Sequence, residues 1–413
     1  MLIKVARQSL LDRKGTVALT VLMIAVSVFV LLGIEHIRNE AREGFNRTVT
    51  GTDLIVGART GQLNLLLYSV FRVGSATNNI DWKSYQHFAA HPQVAWTIPI
   101  SLGDSYRGYR VMGTNDNYFE YFRYGDNKPL RLQSGKQFED VFDAVLGAEV
   151  ARKLGHAVGD EIVLAHGTGS VSFSMHDDKP FTVSGILALT GTPVDRTVHV
   201  SLQGIEAIHI GWQGGVRVPG RSSMKDVDYQ ELEPESITAF MLGLNSKMAT
   251  FGVQRQINNY RAEPLLAILP GVALSELWQI IGNIEAVMRI ISLLVLLSAL
   301  FGMCAMLLAS MRERSRELAV MRAVGASPWF ILALIQMEAL LMTVSGMLIA
   351  VVCLYGAVLL GGSYLTEQYG FMMQGNILNS KILGILGMIL MASLLISLIP
   401  ALRAYWTSQQ RMN

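Results

Sequence analysis

Four long apolar runs dominate the pattern of hydrophobic and polar positions along the chain. They are Thr16–Ile34, Ile290–Leu308, Trp329–Leu360 and Ile382–Ile399. Each comes close to or exceeds the about 20 residues that a helix needs to cross the hydrocarbon core of a bilayer. The first run is too long for a signal peptide, and Glu35-His36-Ile37 follows it where small residues would precede a cleavage site. We therefore expect four transmembrane helices, with the first one retained.

The segment between the first and second runs has a different pattern. It is about 250 residues long, enough for one or two subdomains, and strand-like stretches are interspersed with helical ones. Strands are expected at 53–57, 95–100, 107–113, 142–146, 161–165, 181–189, 198–201 and 236–244, and helices at 82–90, 148–154 and 247–260. Gly155 suits a helix C-cap, and 211–234, rich in Gly, Pro, Ser and charge, is expected to be an exposed loop.

A short, strongly charged segment separates the second and third runs. Residues 311–327 read MRERSRELAVMRAVGAS, with four arginines and two glutamates among the first twelve. So many charges exclude a membrane span, and the pattern predicts an amphipathic helix at the membrane surface. Gly325 is expected to end this helix, and Ser327-Pro328 to begin the next one as N-cap and first helical residue. A helical stalk, Ser275–Arg289, is expected to continue into the second run.

Basic residues in the short flanking segments set the orientation. The segments before the first run, between the second and third, and after the fourth hold ten basic and three acidic residues. Both termini and the charged helix are therefore expected in the cytoplasm. The whole chain has a formal net charge of only +2, so the rest is acidic, which excludes nucleic acid as a partner of the outer domain. The 51% hydrophobic and 16% charged residues agree with a membrane protein.

These patterns together predict the fold class and the layout of the chain. The fold class is an α-helical membrane protein with four transmembrane helices plus a large mixed α+β extracytoplasmic domain of two subdomains between the first and second helices. The layout is a cytoplasmic amphipathic segment (1–15), transmembrane helix 1 (16–35), the extracytoplasmic domain with an inserted middle subdomain (36–286), transmembrane helix 2 (287–310), the charged helix (311–327), transmembrane helix 3 (328–360), an extracytoplasmic loop (361–381), transmembrane helix 4 (382–402) and a cytoplasmic tail (403–413).

This order of segments resembles the FtsX-like permease family of ABC transporters, which includes macrolide-exporter, lipoprotein-releasing and cell-division types. The most specific stretch is Arg316–Ser327, close to the family's coupling-helix pattern of Glu, aliphatics, Arg, a small residue and Gly-Ala-Ser. Gln336-Met-Glu338 before Gly346 resembles the family's third span. In the outer domain, Ala144–Gly155 and Val158–Val163 also fit, whereas Gln62–Asn79 has no counterpart in the pattern.

The resemblance implies a permease subunit of the mechanotransmission type. A separate cytoplasmic ABC ATPase dimer, which carries ATP and Mg²⁺, would bind the coupling helices, and this chain would bind no cofactor itself. The sequence contains no Gly-x-x-x-x-Gly-Lys-Ser/Thr motif. The expected partners are that ATPase, a second copy or a paralogous permease, and a periplasmic or outer-membrane partner or lipoprotein. The expected location is the bacterial inner membrane, with both termini cytoplasmic.

The candidate coupling residues lie in and after the charged helix. Glu317 and Arg322 are candidates for docking the ATPase, against the alternative of an ordinary solvated helix face. Gly325, Ala326 and Ser327 would fix the corner between helices. Glu338 lies at membrane depth in the third run, where a hydrogen-bonded helix contact is favoured over a proton path. Small residues at four-residue spacing, Ser298/Gly302 and Gly346/Ala350, would allow close helix approach.

Two further sets of candidates lie in the outer domain. The apolar residues Leu65, Leu66, Leu67, Tyr68 and Phe71 are either a helix packed in the domain's own core or a surface for substrate or lipid. His166, His176 with Asp177 and Asp178, His199 and His209 have no metal-ligand spacing, and no metal site is predicted. Cys304 and Cys353 fall within apolar runs, so no disulfide is expected in the outer domain.

Three functions from different classes compete. The favoured one is a transporter permease that extracts or exports a substrate on the periplasmic side. The alternative is a non-transporting signal relay that controls a periplasmic partner such as a cell-wall hydrolase. The 250-residue size of the outer region, about that of two subdomains, favours transport. A membrane-bound enzyme is disfavoured, since Gly-x-Ser-x-Gly and His-Glu-x-x-His are both missing from the sequence.

Overall fold

The computed structural model of the chain describes residues 2–48, 50–167, 179–210, 212–213, 216–217, 229, 232–369 and 379–410. The chain divides into two units. A helical unit contains Met1–Glu40, Ile281–Leu365 and Met373–Asn413, and a sheet-based outer unit contains Ala41–Ile280.

The four longest described helices lie wholly or mainly in the helical unit together with two short ones, and the remaining six lie in the outer unit. In chain order the described helices are α1 Leu2–Leu11, α2 Lys14–Thr48, α3 Gln62–Ser69, α4 Trp82–Ala89, α5 Asn117–Tyr121, α6 Ala148–Leu154, α7 Leu202–His209, α8 Thr250–Asn258, α9 Pro270–Glu313, α10 Ser315–Ala323, α11 Pro328–Tyr369 and α12 Ser380–Gln410, with 3₁₀ helices at Pro193–Arg196 and Lys247–Ala249.

The described strands all fall between α2 and α9. In chain order they are β1 Leu54–Ala58, β2 Ile80–Asp81, β3 Val94–Tyr106, β4 Tyr109–Thr114, β5 Arg123–Tyr124, β6 Lys128–Pro129, β7 Leu132–Gly135, β8 Asp143–Leu146, β9 Glu161–Ile162, β10 Ala165–His166, β11 Phe181–Leu187, β12 Thr197–Ser201, β13 Trp212–Gln213, β14 Val216–Arg217, β15 Ser236–Ile237, β16 Ala239–Leu244 and β17 Leu265–Ile268.

Four helices are long and apolar enough to cross a membrane, which confirms the predicted fold class. The stretches are Lys14–Gly44, Pro270–Glu313, Pro328–Gly361 and Ser380–Trp406. Their inner faces form one hydrophobic cluster, to which each helix contributes, for example Val28, Leu300, Met342 and Ile389. Many apolar side chains on the same helices are exposed, among them Leu294, Val352 and Leu395. Apolar outer faces are typical of helices that contact lipid or another membrane subunit.

Close backbone approach in the helical unit depends on Gly346. A Cβ atom at this position would lie 2.7 Å from Ile24 Cγ2 and 3.2 Å from the Val21 carbonyl oxygen. Helices α2 and α11 can therefore come this close only because position 346 has no side chain. Ala350, one turn further along α11, is buried. The close approach expected at Gly346 is confirmed.

One mixed sheet of eleven strands organises the described part of the outer unit. The strand order is β17-β1-β16-β3-β4-β12-β8-β11-β7, with β10 paired to β3 and β9 to β11. Strand β3 is 13 residues long, so it pairs with β16 along its first part and with β4 along its second. The β4–β12 and β8–β11 pairs are parallel. The large mixed domain expected between the first two spans is thereby confirmed.

Two hydrophobic clusters lie in the described part of the outer unit. One is formed by residues between 54 and 88 and between 237 and 267, together with Leu202. It includes Val56, Phe88, Phe240 and Ile257. The other is built from the middle, residues 106–208, and includes Leu146, Phe181 and Val200. The strands that contribute to these two clusters have nearly continuous apolar sequences, because few of their side chains face water.

Some expected elements begin elsewhere, for identifiable reasons. Helix α6 and its left-handed C-cap at Gly155 (φ 72°) are as predicted. The strand expected at 107–113 begins at Tyr109 instead, because Arg107 and Gly108 both have positive φ and form the hairpin turn between β3 and β4. Most of the expected loop 211–234 lies outside the described residues, apart from the β13–β14 hairpin and residues 229 and 232–234.

Candidate functional site

The charged helix α10 is separated from α9 by a single residue. Helix α9 ends at Glu313, and Arg314 has non-helical dihedral angles (φ −94°, ψ 15°) before α10 begins at Ser315. At the other end Gly325 has φ 100°, and the Ala326 N–H donates to the Met321 carbonyl at 3.0 Å. This is the hydrogen bond of a Schellman motif. The prediction that Gly325 ends the helix is confirmed.

The next helix begins immediately after this corner. The Ser327 Oγ accepts a hydrogen bond from the Phe330 N–H at 3.2 Å, and Pro328 is the first residue of α11. Both roles are as predicted from the sequence. Four residues, Val324–Ser327, thus join α10 to α11, and the corner Gly325–Ser327 among them is fixed by hydrogen bonds and by the positive φ of Gly325.

Arg322 stabilises this corner from within the chain. Its Nη1 donates to the Ala326 carbonyl at 2.7 Å, and the residue is half-buried. A basic side chain at the end of a helix also satisfies a carbonyl that the helix leaves unpaired. The position predicted to dock a partner therefore has a local structural role as well.

A buried polar cluster ties the charged helix to two other segments. The Arg314 Nε donates to Glu317 Oε2 at 2.7 Å, and its Nη1 donates to Glu338 Oε1 at 3.0 Å and to the Ser9 hydroxyl. Ser9, on α1, donates in turn to Glu338 at 2.5 Å. Glu338 is 3% exposed, so its charge is compensated by an ion pair and hydrogen bonds. The geometry agrees with the hydrogen-bonded helix contact expected for Glu338.

Sequence reasoning missed two members of this cluster. Arg314 precedes Glu317 by three residues, a spacing that places side chains on one helix face, and this was the available signal. Ser9 carried no signal, because a serine in an amphipathic helix is ordinary and its contact with Glu338 spans 329 positions.

One side of α10 is exposed although it is partly apolar. The Glu317 side chain is 62% exposed, and Val320 and Val324 are 62% and 84% exposed. Residues at i, i+3 and i+7 lie on one face of a helix, so these three form one exposed face, Glu317–Val320–Val324, which is named the docking face for the role proposed below. The two valines were not among the sequence candidates.

The apolar segment near residue 65 is folded into the outer unit. Leu65, Leu66 and Tyr68 are at most 1% exposed, and burial raises the pKa of Tyr68 to about 12. Helix α3 lies on Gly57 of β1, where a Cβ atom would be 2.5 Å from both Leu65 Cδ1 and the Tyr68 hydroxyl. These three side chains are therefore core residues and offer no surface to a substrate or lipid. Leu67 and Phe71 are half-buried.

His199 is also a core residue. It is fully buried, its Nδ1 donates to the Val145 carbonyl at 3.2 Å, and its ring stacks on Tyr118 with centroids 5.2 Å apart. Burial and the nearby Arg72 guanidinium lower the pKa of His199 to about 3. The candidates His176, Asp177 and Asp178 lie outside the described residues.

The remaining two histidines are brought together with a carboxylate. His166 Nδ1 is 3.2 Å from Asp104 Oδ1, and His209 Nε2 is 3.6 Å from the same oxygen. The two ring nitrogens are 3.3 Å apart. Burial lowers the pKa of His209, but the hydrogen bond and negative charge of Asp104 outweigh this and raise it. Nothing in the sequence spacing pointed to this cluster, because its members are 62 and 43 positions apart.

Comparison with known proteins identifies both parts of the chain. A family model described as MacB-like periplasmic core domain matches residues 17–260, and one described as FtsX-like permease C-terminal matches residues 289–409. A search among curated proteins found no match.

Two solved structures are similar to the outer part. The periplasmic region of MacB from Actinobacillus actinomycetemcomitans is 11% identical, with 57% of this chain and 95% of that chain covered and a TM-score of 0.34. The extracellular domain of the noncanonic ABC-type transporter YknZ from Gram-positive bacteria is 12% identical, with 52% and 99% covered and a TM-score of 0.31. The two family models, which extend over almost all of the sequence, carry the assignment: the chain belongs to the FtsX-like permease family of ABC transporters and has a MacB-like periplasmic core domain.

Proposed function

We propose that this multi-pass membrane protein is the permease subunit of an ABC transporter of the mechanotransmission type. A separate cytoplasmic ATPase dimer hydrolyses ATP with its Mg²⁺, and this chain converts the resulting movement into extraction or export of a substrate on the periplasmic side. Membership of the FtsX-like permease family supports the transporter class. The location in the bacterial inner membrane, with both termini cytoplasmic, rests on the distribution of basic residues.

The docking face Glu317–Val320–Val324 is the observation that carries this proposal. It presents two exposed valines beside an acidic side chain, on a helix otherwise rich in arginine. A partner protein that covers these valines removes their apolar surface from water, which favours association. The distribution of basic residues supports a cytoplasmic position for this segment, which a cytoplasmic ATPase partner would require.

The connections of the charged helix suit it for passing on movement. Its N-terminal side leads through Arg314 into α9, which runs without a break from Pro270 to Glu313. Its C-terminal side leads through the corner Gly325–Ser327 into α11. The ion pair between Arg314 and Glu338 links the same point to α11 a second time. A force on α10 therefore acts on both long helices together.

A photo-crosslinking experiment tests the docking face. A photoreactive phenylalanine analogue is placed at Val324 in the full chain in cells, and the captured polypeptide is identified by mass spectrometry. We expect a polypeptide with a Gly-x-x-x-x-Gly-Lys-Ser/Thr motif. The matched control is Val158, an exposed valine of the outer unit (44%), which should not capture it.

Charge reversal provides a second measurement on the same face. Glu317→Lys should reduce the amount of ATPase that copurifies with the chain and leave the melting temperature close to that of wild type, because the Glu317 side chain is largely exposed. Capture of the ATPase from Val158 as efficiently as from Val324, or of none from Val324, would contradict the proposed docking face.

A further inference from the structure

Three separate segments of the outer unit meet at Asp104, His166 and His209. Asp104 lies in β3, and His166 is its direct partner in β10 in the register of the two strands. His209 lies in the last turn of α7. That helix is held at its start by Ser201, whose Oγ accepts from the Gly204 N–H at 2.9 Å. Strand pairing and a capped helix thus fix the three side chains from different directions.

The spacing of the three donor atoms fits a tetrahedral metal ion. Ligands bound 2.0–2.1 Å from Zn²⁺ at tetrahedral corners lie about 3.3–3.4 Å from one another. Asp104 Oδ1, His166 Nδ1 and His209 Nε2 are separated by 3.2, 3.3 and 3.6 Å. Their spacing therefore matches three corners of such a tetrahedron within a few tenths of an ångström.

The orientation of His209 supports the same assignment. Its Nδ1 lies 2.8 Å from the Ile205 carbonyl oxygen, and because a carbonyl can only accept, Nδ1 must carry the proton. When the ring is neutral, Nε2 carries the lone pair and is the nitrogen that faces Asp104 and His166. Metal-binding histidines are typically held in this way, with the second ring nitrogen donating to a carbonyl or carboxylate.

Exposure and charge allow an ion to enter. Asp104 is 1% exposed, whereas the His166 and His209 side chains are 40% and 31% exposed. The cluster therefore has a buried carboxylate on one side and access from solvent on the other. A buried carboxylate requires a compensating positive charge, and a divalent cation between the three donors supplies it.

We propose that Asp104, His166 and His209 bind one Zn²⁺ ion. Two imidazoles and a carboxylate are ligands that Zn²⁺ prefers. The ion cross-links β3, β10 and α7, and it stabilises the outer unit because the three ligands come together only in the folded chain. Zinc occupancy would thus control the rigidity of the middle of the extracytoplasmic domain.

Metal binding is measured on the full chain in detergent, purified with an affinity tag free of histidine and stripped with a chelator. We expect one Zn²⁺ per chain, and Co²⁺ in its place should give the visible absorption of tetrahedral Co²⁺, which added Zn²⁺ abolishes. Loss of a residue that only hydrogen-bonds to a metal ligand weakens metal binding by about 10–100-fold. His209→Ala and Asp104→Asn remove a ligand itself, so each should weaken Zn²⁺ binding by more than that.

His156→Ala is the matched control. His156 also contacts an aspartate, with Nδ1 3.0 Å from Asp160, but its Nε2 lies 2.9 Å from the Tyr106 hydroxyl, so both ring nitrogens are already engaged. This variant should keep the Co²⁺ spectrum. Zn²⁺ should raise the melting temperature of wild type and of His156→Ala, and should leave that of His209→Ala unchanged.

The melting temperatures of the metal-free proteins show whether a variant has lost only a zinc ligand or has also lost its fold. If stripped His209→Ala melts far below wild type, His166→Ala decides instead, since His166 is the most exposed of the three. Absence of stoichiometric Zn²⁺ binding by wild type would overturn the proposal. A tetrahedral Co²⁺ spectrum that persists in His166→Ala and Asp104→Asn would also overturn it. The three residues would then interact through hydrogen bonds without a metal ion.

Discussion

Arg314 and Glu338 are a charge pair that is removed from water together. Their side chains are 13% and 4% exposed, and the closest nitrogen and oxygen are 3.0 Å apart. The attraction in a buried pair offsets the loss of hydration only while both charges are present. Removal of one partner leaves the other buried and uncompensated, so the pair is best tested through single and double variants.

We expect Arg314→Met to lower the free energy of unfolding by about 3–5 kcal/mol, because it leaves Glu338 as an unpaired buried charge. The double variant Arg314→Met/Glu338→Met should recover most of that loss. Melting temperatures of the full chain in detergent measure both. The exposed Arg316 provides the control, since Arg316→Met removes one arginine from the same helix at little cost. Additive losses in the double variant would show that the two residues are not coupled.

The pKa of His199 makes the stability of the outer unit depend on pH. His199 has a pKa of about 3 in the folded chain, against about 6.5 for an unperturbed histidine. Below pH 6.5 the unfolded chain therefore binds a proton that the folded chain does not. This contribution is complete above pH 6.5 and is lost as the pH falls toward 3, at up to about 1.4 kcal/mol per pH unit.

His199→Gln should therefore flatten the fall in melting temperature between pH 6.5 and pH 4.5. Glutamine retains an N–H group for the Val145 carbonyl but cannot take up a proton in this range. The matched control is His91→Gln at a half-exposed histidine that contacts Gln256, and it should keep the wild-type slope. Equal slopes for wild type and His199→Gln would contradict the depressed pKa.

At the scale of elements, local patterns were sufficient wherever the chain's own periodicity decides the structure. The spans, helix α6 with its Gly155 cap, and the corner at Gly325 all have signals within a few residues of sequence. Helix α3 was ambiguous because an apolar stretch of eight residues fits a core helix or an exposed surface equally well. The packing of Leu65 and Tyr68 on Gly57 shows that α3 is a core helix. This is a tertiary contact, which the local sequence does not reveal.

The candidate sites show the same division. The cap residues of the charged helix were predictable, whereas the docking face was found only from the exposure of Val320 and Val324. The Asp104, His166 and His209 cluster depends on strand register and on where α7 ends. Such long-range juxtaposition leaves no spacing in the sequence, and a pattern search for metal ligands passes over it.

Helix packing in the membrane unit predicts different outcomes at two glycines of α11. Gly346→Val should destabilise the unit, because the new Cβ atom would be 2.7 Å from Ile24 and 3.2 Å from the backbone of α2. Gly356→Val, on the same helix, has no atom within 4 Å of the new Cβ and should be tolerated. Melting temperature in detergent compares the two. Similar losses would mean that helix propensity, not packing, limits both positions.

At the scale of the whole molecule, four spans per chain leave the helical unit with large apolar outer faces. Exposed residues such as Leu294, Val352 and Leu395 must contact lipid or another membrane subunit. ABC ATPases act as pairs, so two docking faces are required for one ATPase dimer. We therefore expect two copies of this chain, or one copy with a paralogous permease, in the working assembly.

The stalk Ser275–Arg289 provides the measurement for this assembly. It is part of α9, which continues to Glu313 without a break. Closure of the ATPase dimer on α10 should therefore change the separation of the two stalks. Gln279 is exposed on α9 and accepts a spin label without disturbing a core.

We expect the distance distribution between labels at Gln279 in the two copies to shift when the ATPase is trapped with ATP. As a control, labels at Lys83 and Gln133 within one chain, both exposed in the outer unit, should keep their distance. A Gln279 distance that changes by less than about one helical turn, ~5.4 Å, would argue against transmission through α9. If no pair of chains forms in the presence of the ATPase, the paired architecture itself is wrong. A distance change at Gln279 but not between Lys83 and Gln133 would link ATP-driven closure to the stalk and thus to the extracytoplasmic domain.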